Sequence, residues 1–318
     1  MPASATRRAY LQIHFCVILW GFTAILGKLI SLPALPMVWW RMLIVVVALA
    51  LVPRVWRGVR AMSWRLLGAY SGIGVLVALH WLTFYGAIKL ANASVAVTCL
   101  AFASVFTALL EPVLAHTRFS KRDLALGIAI LPGVALMVGG VPAGMYLGIA
   151  VGTLSALFVA FFGSLNKRLV EESDALTVTA VELGAGTLAL TLLAPLMPLL
   201  MPQFAGPLLA WPDARDAMLL LVLALGCTLL PFALSLVSLR HMSAFSAQLA
   251  INLEPVYAIV LAIVLLGEQH ELTPQFYVGV VIILLSVAVA PLMTPRSSTA
   301  PVDDEALALA VSETHRTD

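Results

Sequence analysis

The sequence predicts an all-α integral membrane protein, with ten transmembrane helices arranged as two inverted five-helix repeats. Three observations predict it: composition, the spacing of apolar runs, and self-similarity between the halves. Of 318 residues, 62% are hydrophobic and 11% charged, and the mean hydropathy is +1.03. A soluble domain carries roughly 45–50% apolar and about 25% charged residues. A bilayer core takes about 20 apolar residues per helix, so ten spans use most of this chain and leave only short connections.

Apolar runs of spanning length fall at 10–31, 34–53, 64–86, 92–115, 122–139, 143–166, 175–199, 216–236, 244–266 and 273–292. Turn residues separate them, at Ser31-Leu32-Pro33, Gly139-Gly140-Val141-Pro142, Pro202 through Pro212 and Thr273-Pro274. Their length selects helices, because membrane strands need only about 9–11 residues and alternate apolar with polar side chains.

Basic residues set the orientation. Alternate connections and the termini hold Arg7 and Arg8; Arg54, Arg57, Arg60 and Arg65; Arg118, Lys121 and Arg122; Lys167 and Arg168; Arg240; and Arg296 and Arg316. The opposite side holds only Lys89 and Arg215, while Lys28 and Arg41 fall within spans. The positive-inside rule then places both termini in the cytoplasm, and the expected location is the bacterial inner membrane. Arg7-Arg8 ahead of an apolar run looks like an export signal, but the length of the run reads as a first helix that stays. The segment 293–318, with Asp303, Asp304 and Glu305, reads as a cytoplasmic tail, either a loose amphipathic helix or a disordered end.

Composition also excludes function classes. A net charge of +2 without a basic stripe gives nucleic acid no footprint. Cys16, Cys99 and Cys227 are scattered through apolar runs, which offers neither a disulfide framework nor metal-ligand spacing, and they read as packing residues. No Walker A loop, HExxH pair or Gly-x-Ser-x-Gly elbow occurs. The expectation is a protein that is not an enzyme, with no cofactor and no metal.

A shift of 151 residues lays Lys89–Thr117 on Arg240–Glu268 without a gap, matching Ala93 with Ala244, Ala96 with Ala247, Val105 with Val256, Leu110 with Leu261, Val113 with Val264 and Leu114 with Leu265. In both copies a basic residue ends one span, an Ala/Ser turn follows, and the next span begins. Five helices per copy is odd, so the second copy enters the membrane from the other side. Such inverted repeats recur among secondary transporters, with the substrate near the midplane between the halves. The first repeat is assigned to 1–139 and the second to 140–292.

Trp20-Gly21, Arg41, the run from Leu79 to Ala96 (LHWLTFYGAIKLANASVA), Leu253-Glu254-Pro255-Val256-Tyr257 and Leu266-Gly267-Glu268 resemble EamA-type members of the drug/metabolite transporter superfamily. The resemblance covers nearly the whole chain. It implies ten spans in two copies of five, both termini inside, and export or exchange of amino acids, related metabolites or drugs. The first copy departs from the second in two places. It carries His116-Thr117 where the second has Gly267-Glu268, and Ala103-Ser104 where the second has Glu254-Pro255.

Ionisable residues within spans are costly, at least about 2.5–3.5 kcal/mol each at a helix centre, so they mark candidate sites: Lys28, Arg41, His80, Glu111, Glu182 and Glu254. Glu254 precedes Pro255, which leaves the Ile251 carbonyl without its helical donor. It reads either as a cation or proton site or as a structural knot between helices. Tyr257 lies three residues on and is a partner or substrate contact. Glu111 is expected to pair with the basic cluster Arg118–Arg122. Gln248 and Asn252 lie on one face, and on a continuous helix Asn252 is about 200° round from Glu254, so the two sets are expected to face apart.

His80 can satisfy a neighbouring group or relay a proton, with Trp81 and Tyr85 supplying aromatic surface. Arg41 reads as snorkelling outward beside Trp39 and Trp40, with attraction of a substrate carboxylate as the alternative; Lys28 is similar. The substrate-binding set is therefore Trp20, Lys28, Arg41, His80, Trp81, Tyr85, Asn252, Glu254 and Tyr257. Gly68-x3-Gly72 and Gly148-x3-Gly152 are expected to bring helix backbones close. The partners expected are a small-molecule substrate, the lipid bilayer and a proton as coupling ion, in a monomer or homodimer. Competing readings are a membrane-embedded enzyme acting on a lipid or polyprenyl substrate, and an uncoupled facilitator.

Overall fold

Polar residues that cannot continue a helix comfortably mark six of the helix starts among the described residues. Ser63, Asn92, Ser120, Asp174, Asp213 and Ser243 each turn their side-chain oxygen onto the backbone N–H three residues on, the usual N-cap geometry. The computed structural model describes residues 3–289, and the expected tail at 293–318 lies outside them. No strand occurs among the described residues.

In chain order the helices are α1 (Ala3–Leu29), α2 (Ala34–Ala50), α3 (Pro53–Ala61), α4 (Trp64–Leu90), α5 (Ala93–Cys99), α6 (Phe102–Leu114), α7 (Lys121–Ile128) and α8 (Leu131–Gly139). Then follow α9 (Tyr146–Leu169), α10 (Ala175–Leu193), α11 (Met197–Leu200), α12 (Ala214–Leu221), α13 (Leu230–Leu239), α14 (Ala244–Ile251), α15 (Glu254–Leu266) and α16 (Pro274–Val289). A π-helical stretch, Val222–Leu229, joins α12 to α13.

Among the described residues eight helical segments are long and apolar enough to cross a membrane: Ala5–Leu29, Trp64–Leu90, Ala93–Leu114, Lys121–Gly139, Ala143–Leu169, Ala175–Leu200, Ala214–Leu239 and Ala244–Leu266. The pair α2 and α3 makes a ninth if counted as one span, but it bends by 93° at its break. The apolar part of α16 is shorter.

In the packing, α4 lies against both α9 and α10, α1 against α13 and α15, and α6 against α7, α9 and α14. Close approach needs missing side chains. A Cβ on Gly148 would come within 2.7 Å of the Ala91 Cβ, and one on Gly152 within 2.9 Å of the Cys99 Cβ. The expectation for Gly68 and Gly72 fails, because no heavy atom lies within 4 Å of a Cβ built there. The close contact on α4 is at Gly74, whose Cβ would sit 2.0 Å from the Glu182 carbonyl oxygen. Cys16, Cys99 and Cys227 are buried free thiols.

The two halves repeat one another in detail. The span of α5 and α6 breaks after Cys99, and the span of α14 and α15 breaks after Ile251. Lys89, at the end of α4, donates from Nζ to the Ile30 carbonyl just after α1 at 2.7 Å. Its counterpart Arg240 donates from Nη2 to the Ser173 carbonyl just after α9, also at 2.7 Å. Each basic residue thereby satisfies a carbonyl near the C-terminal end of a helix, where the dipole favours a cation.

Both broken spans end in left-handed backbone, His116 at φ 54° and Gly267 at φ 70°, so the departure at these positions preserves the turn. The other half of that departure, Thr117 opposite Glu268, is also made good. Glu268 accepts from the backbone N–H groups of Ala93 and Ser94 at 3.0 Å each, and Glu111 accepts from those of Ala244 and Phe245 at 2.9 and 2.8 Å. The Glu111 carboxylate is thus taken by a helix N-terminus in the other half, a partner beyond the Arg118–Arg122 cluster that the sequence suggested.

Candidate functional site

Arg41 decides the shape of the site. It is 2% exposed, so it does not snorkel outward as the sequence suggested. The reason lies on the neighbouring span. In the π stretch Val222–Leu229 the Thr228 hydroxyl donates to the carbonyl of Leu223, five residues back, at 2.6 Å. Its oxygen accepts from Arg41 Nε. Arg41 Nη1 donates to the Tyr85 hydroxyl at 2.7 Å, and the guanidinium carbon lies 3.9 Å from the centre of the Trp81 ring, a cation–π stack. Wide π turns inside α-helices recur at functional sites, and here one supplies the acceptor that turns a guanidinium inward.

The guanidinium lines a cavity of about 110 Å³ together with Trp20, Thr23, His80, Trp81, Phe84, Thr107, Phe162, Phe232, Gln248 and Glu254. Leu239 and Ala244 belong to the lining as well, so the cavity extends toward the bundle end where α13 finishes and α14 begins. The walls are mainly aromatic and aliphatic, with few polar groups, the usual make-up of a small-molecule site.

Glu254 stands at the first position of α15, just past the break in its span. It is 5% exposed. Among the described residues no protein group hydrogen-bonds its side chain, and the one ion pair found, Arg54 with Asp174 at 3.8 Å, does not involve it. Arg41 and Glu254 thus line one cavity without pairing with each other, and Arg41 Nη2 also has no protein partner among the described residues.

His80 has its Nδ1 2.8 Å from Ser155 Oγ and 3.2 Å from the Ser155 carbonyl oxygen. The Ser155 hydroxyl gives its single hydrogen to the His80 carbonyl at 3.0 Å. A carbonyl only accepts, so Nδ1 is assigned as the proton-bearing nitrogen that donates to Ser155. The ring packs 5.5 Å from that of Phe162 and 6.0 Å from that of Phe84, centre to centre.

Of the residues expected to bind substrate, Trp20, Arg41, His80, Trp81 and Glu254 line the cavity and four do not. Tyr85 is fully buried behind Arg41, as its hydrogen-bond acceptor. Asn252 sits in the helix break, donating to Ser104 and accepting from Gln248. Lys28 is exposed near the end of α1. Tyr257 is 41% exposed, with its Cβ backed against Gly21, so the ring turns away from the site.

Gln248 and Glu254 share the cavity, against the expectation that they face apart. The 200° separation applies to Asn252, which stays off the cavity lining, whereas Gln248, six residues before Glu254, is only about 120° round from it on a continuous helix. Pro255 marks the break between α14 and α15.

A family model described as "EamA-like transporter family" matches residues 7–139 and 146–290. The chain belongs to the EamA-like transporter family. It is thus a multi-pass transporter of the drug/metabolite type, and the two matched segments divide it into two copies of the family unit. Twenty solved chains match it as well. One, titled only "Crystal structure of protein", is 17% identical, covers 91% of this chain and 99% of its own, and superposes with a TM-score of 0.65; it shares the fold. No curated protein gives a significant match.

Proposed function

We propose that this EamA-like transporter is a secondary transporter of small zwitterionic metabolites such as amino acids, working as an exporter or exchanger by alternating access. One observation carries the reading: Arg41 and Glu254 line the same cavity and make no ion pair with each other. A guanidinium and a carboxyl left facing a low-dielectric space call for a ligand that brings a carboxylate to one and an ammonium to the other. Trp20, Trp81, Phe84 and Phe232 provide apolar surface for the rest of such a ligand.

The topology belongs to this proposal. The chain spans the bacterial inner membrane ten times, with both termini cytoplasmic, repeats at 1–139 and 140–292, and the second repeat inverted. The basic residues at alternate connections support the orientation. The matched contacts of Lys89 with Ile30 and Arg240 with Ser173, at ends of spans that run in opposite directions, support the inversion. In that frame the cavity reaches toward the cytoplasmic end, and a proton gradient is the energy source. The transporter works as a monomer or homodimer.

The test is flux of radiolabelled amino acids and organic cations into proteoliposomes, with and without a pH gradient. Carriage of zwitterions that is lost in Arg41→Gln and Glu254→Gln supports the reading. Carriage of cations alone overturns it, and amino-acid flux indifferent to the gradient makes the protein a facilitator.

A further inference from the structure

Away from the cavity, Glu182 on α10 is 0% exposed and Asn166 on α9 is 2% exposed. Asn166 Nδ2 donates to Glu182 Oε2 at 3.4 Å. The other atom of each group, Glu182 Oε1 and Asn166 Oδ1, is buried with no hydrogen-bond partner. Both are acceptors when the carboxyl is ionised, so an ionised Glu182 leaves two oxygens without a donor. Buried polar groups are nearly always satisfied, and each exception asks for an explanation.

Two buried donors, Ser164 Oγ on α9 and Arg240 Nε, also have no hydrogen-bond partner, and the other donors on the adjoining helices are committed elsewhere. On α4, the Tyr70 hydroxyl donates to the Leu169 carbonyl at 2.7 Å. Lys167 Nζ on α9 donates to the Leu239 carbonyl at 2.6 Å, and Arg240, just after α13, donates from Nη2 to Ser173. Of the other charged groups on helices packed against α10, Arg41 of α2 is held by Tyr85 and Thr228, and Arg54 of α3 pairs with Asp174. Arg57 and Arg60 of α3 and Arg65 of α4 are exposed, while His80 and Lys89 of α4 contact Ser155 and Ile30. No ion pair reaches Glu182 among the described residues.

We infer that Glu182 is a proton-binding site, holding its proton in a two-point acid–amide pair with Asn166. A proton on Oε1 turns that atom into a donor toward Asn166 Oδ1, while Asn166 Nδ2 still donates to Oε2, and one proton satisfies both orphaned atoms. Loss of the proton to water leaves a carboxylate facing an amide oxygen. The pair bridges α9 to α10, so release of the proton removes one of the two links between those helices. Its use as the coupling proton rests on the reading of the chain as a secondary transporter; the site itself does not.

The experiment is infrared spectroscopy of the purified full-length protein in lipid at neutral pH, in H2O and D2O. The expected result is a carbonyl band of a protonated carboxylic acid that shifts in D2O. The band disappears in Glu182→Gln and persists in Glu254→Gln. Glu182→Gln keeps a two-point amide pair with Asn166, so it folds, and its thermal unfolding and circular dichroism check that. Failure of the band to change in folded Glu182→Gln overturns the inference. So does a sodium-dependent rise in melting temperature present in wild type and lost in Glu182→Gln, which assigns the orphaned oxygens to a metal cation. Neither readout depends on transport, so a failed flux assay with an intact acid band removes the transport reading alone.

Discussion

Glu111 and Glu268 cap helices in each other's half of the protein. Glu268, just beyond α15, accepts from Ala93 and Ser94 at the start of α5, and also from the Ser94 hydroxyl at 2.6 Å. Glu111, in the last turn of α6, accepts from Ala244 and Phe245 at the start of α14. The two carboxylates are not equivalent in sequence, since the 151-residue shift places Glu268 over Thr117. They are equivalent in what they do: each meets the positive end of a helix dipole with a negative charge and satisfies N–H groups that have no partner within that helix.

Removal of either carboxylate is expected to destabilise the fold. A hydrogen bond to a charged group contributes about 1.5–3 kcal/mol, so Glu268→Ala and Glu111→Ala should each lower the melting temperature in detergent or lipid. Glu268→Gln, which keeps one acceptor oxygen, should cost less. Unchanged melting of both alanine variants would sink the assignment of these residues as reciprocal caps.

The turn after each broken span gives a stabilising prediction. His116 and Gly267 occupy equivalent left-handed positions, at φ 54° and 70°. A residue with a Cβ there costs roughly 1–2 kcal/mol relative to its right-handed conformation, whereas glycine adopts it freely. His116→Gly should raise the melting temperature and Gly267→His should lower it. Opposite signs at two positions related by the repeat are a demand that a general surface effect does not meet.

Both pairs show what the sequence disclosed and what it withheld. The helical spans, the register of the repeat, and the choice of His80, Trp81 and Glu254, which line one cavity, follow from residue type and spacing, which are local, and Trp20 follows from the family resemblance. The caps by Glu111 and Glu268 join residues 133 and 175 positions apart, and no periodicity reports such contacts. Gln248 was grouped with Asn252 on one face, yet it lies about 120° and Asn252 about 200° round from Glu254, and only Gln248 reaches the cavity. Arg41 turns inward for a non-local reason. Its inward direction depends on the acceptor at Thr228, in a π stretch whose sequence, Val-Leu-Ala-Leu-Gly-Cys-Thr-Leu, carries no mark of the wider turn.

Glycines on one helix are expected to respond oppositely to the same change. Gly68 has open space where a Cβ would go, while at Gly74 that atom would lie 2.0 Å from the Glu182 carbonyl oxygen. Gly68→Ala should gain about 0.5–1 kcal/mol from helix propensity. Gly74→Ala must push α4 from α10, an overpacking that costs about 1–3 kcal/mol or more. Thermal unfolding of the two variants beside wild type checks the pair. Equal shifts would mean that α4 and α10 do not cross at Gly74.

Arg41 carries the most direct prediction about transport. Its guanidinium is held by Thr228 and Tyr85 and stacked on Trp81, which leaves Nη2 for a ligand. If a substrate carboxylate takes that position, a decarboxylated amine of the same side chain should compete more weakly than the parent amino acid. A charge-assisted hydrogen bond of about 1.5–3 kcal/mol corresponds to roughly tenfold to a hundredfold in affinity. In Arg41→Gln that discrimination should collapse, with both compounds competing equally. Arg41→Lys should restore it only in part, because an ammonium lacks the planar fork that reaches Thr228, Tyr85 and a carboxylate together. Competition against flux of a labelled amino acid in proteoliposomes reads all four combinations of ligand and protein. Discrimination that survives undiminished in Arg41→Gln would assign the guanidinium to holding α2, α4 and the π stretch together, and would leave the carboxylate to be recognised elsewhere in the cavity.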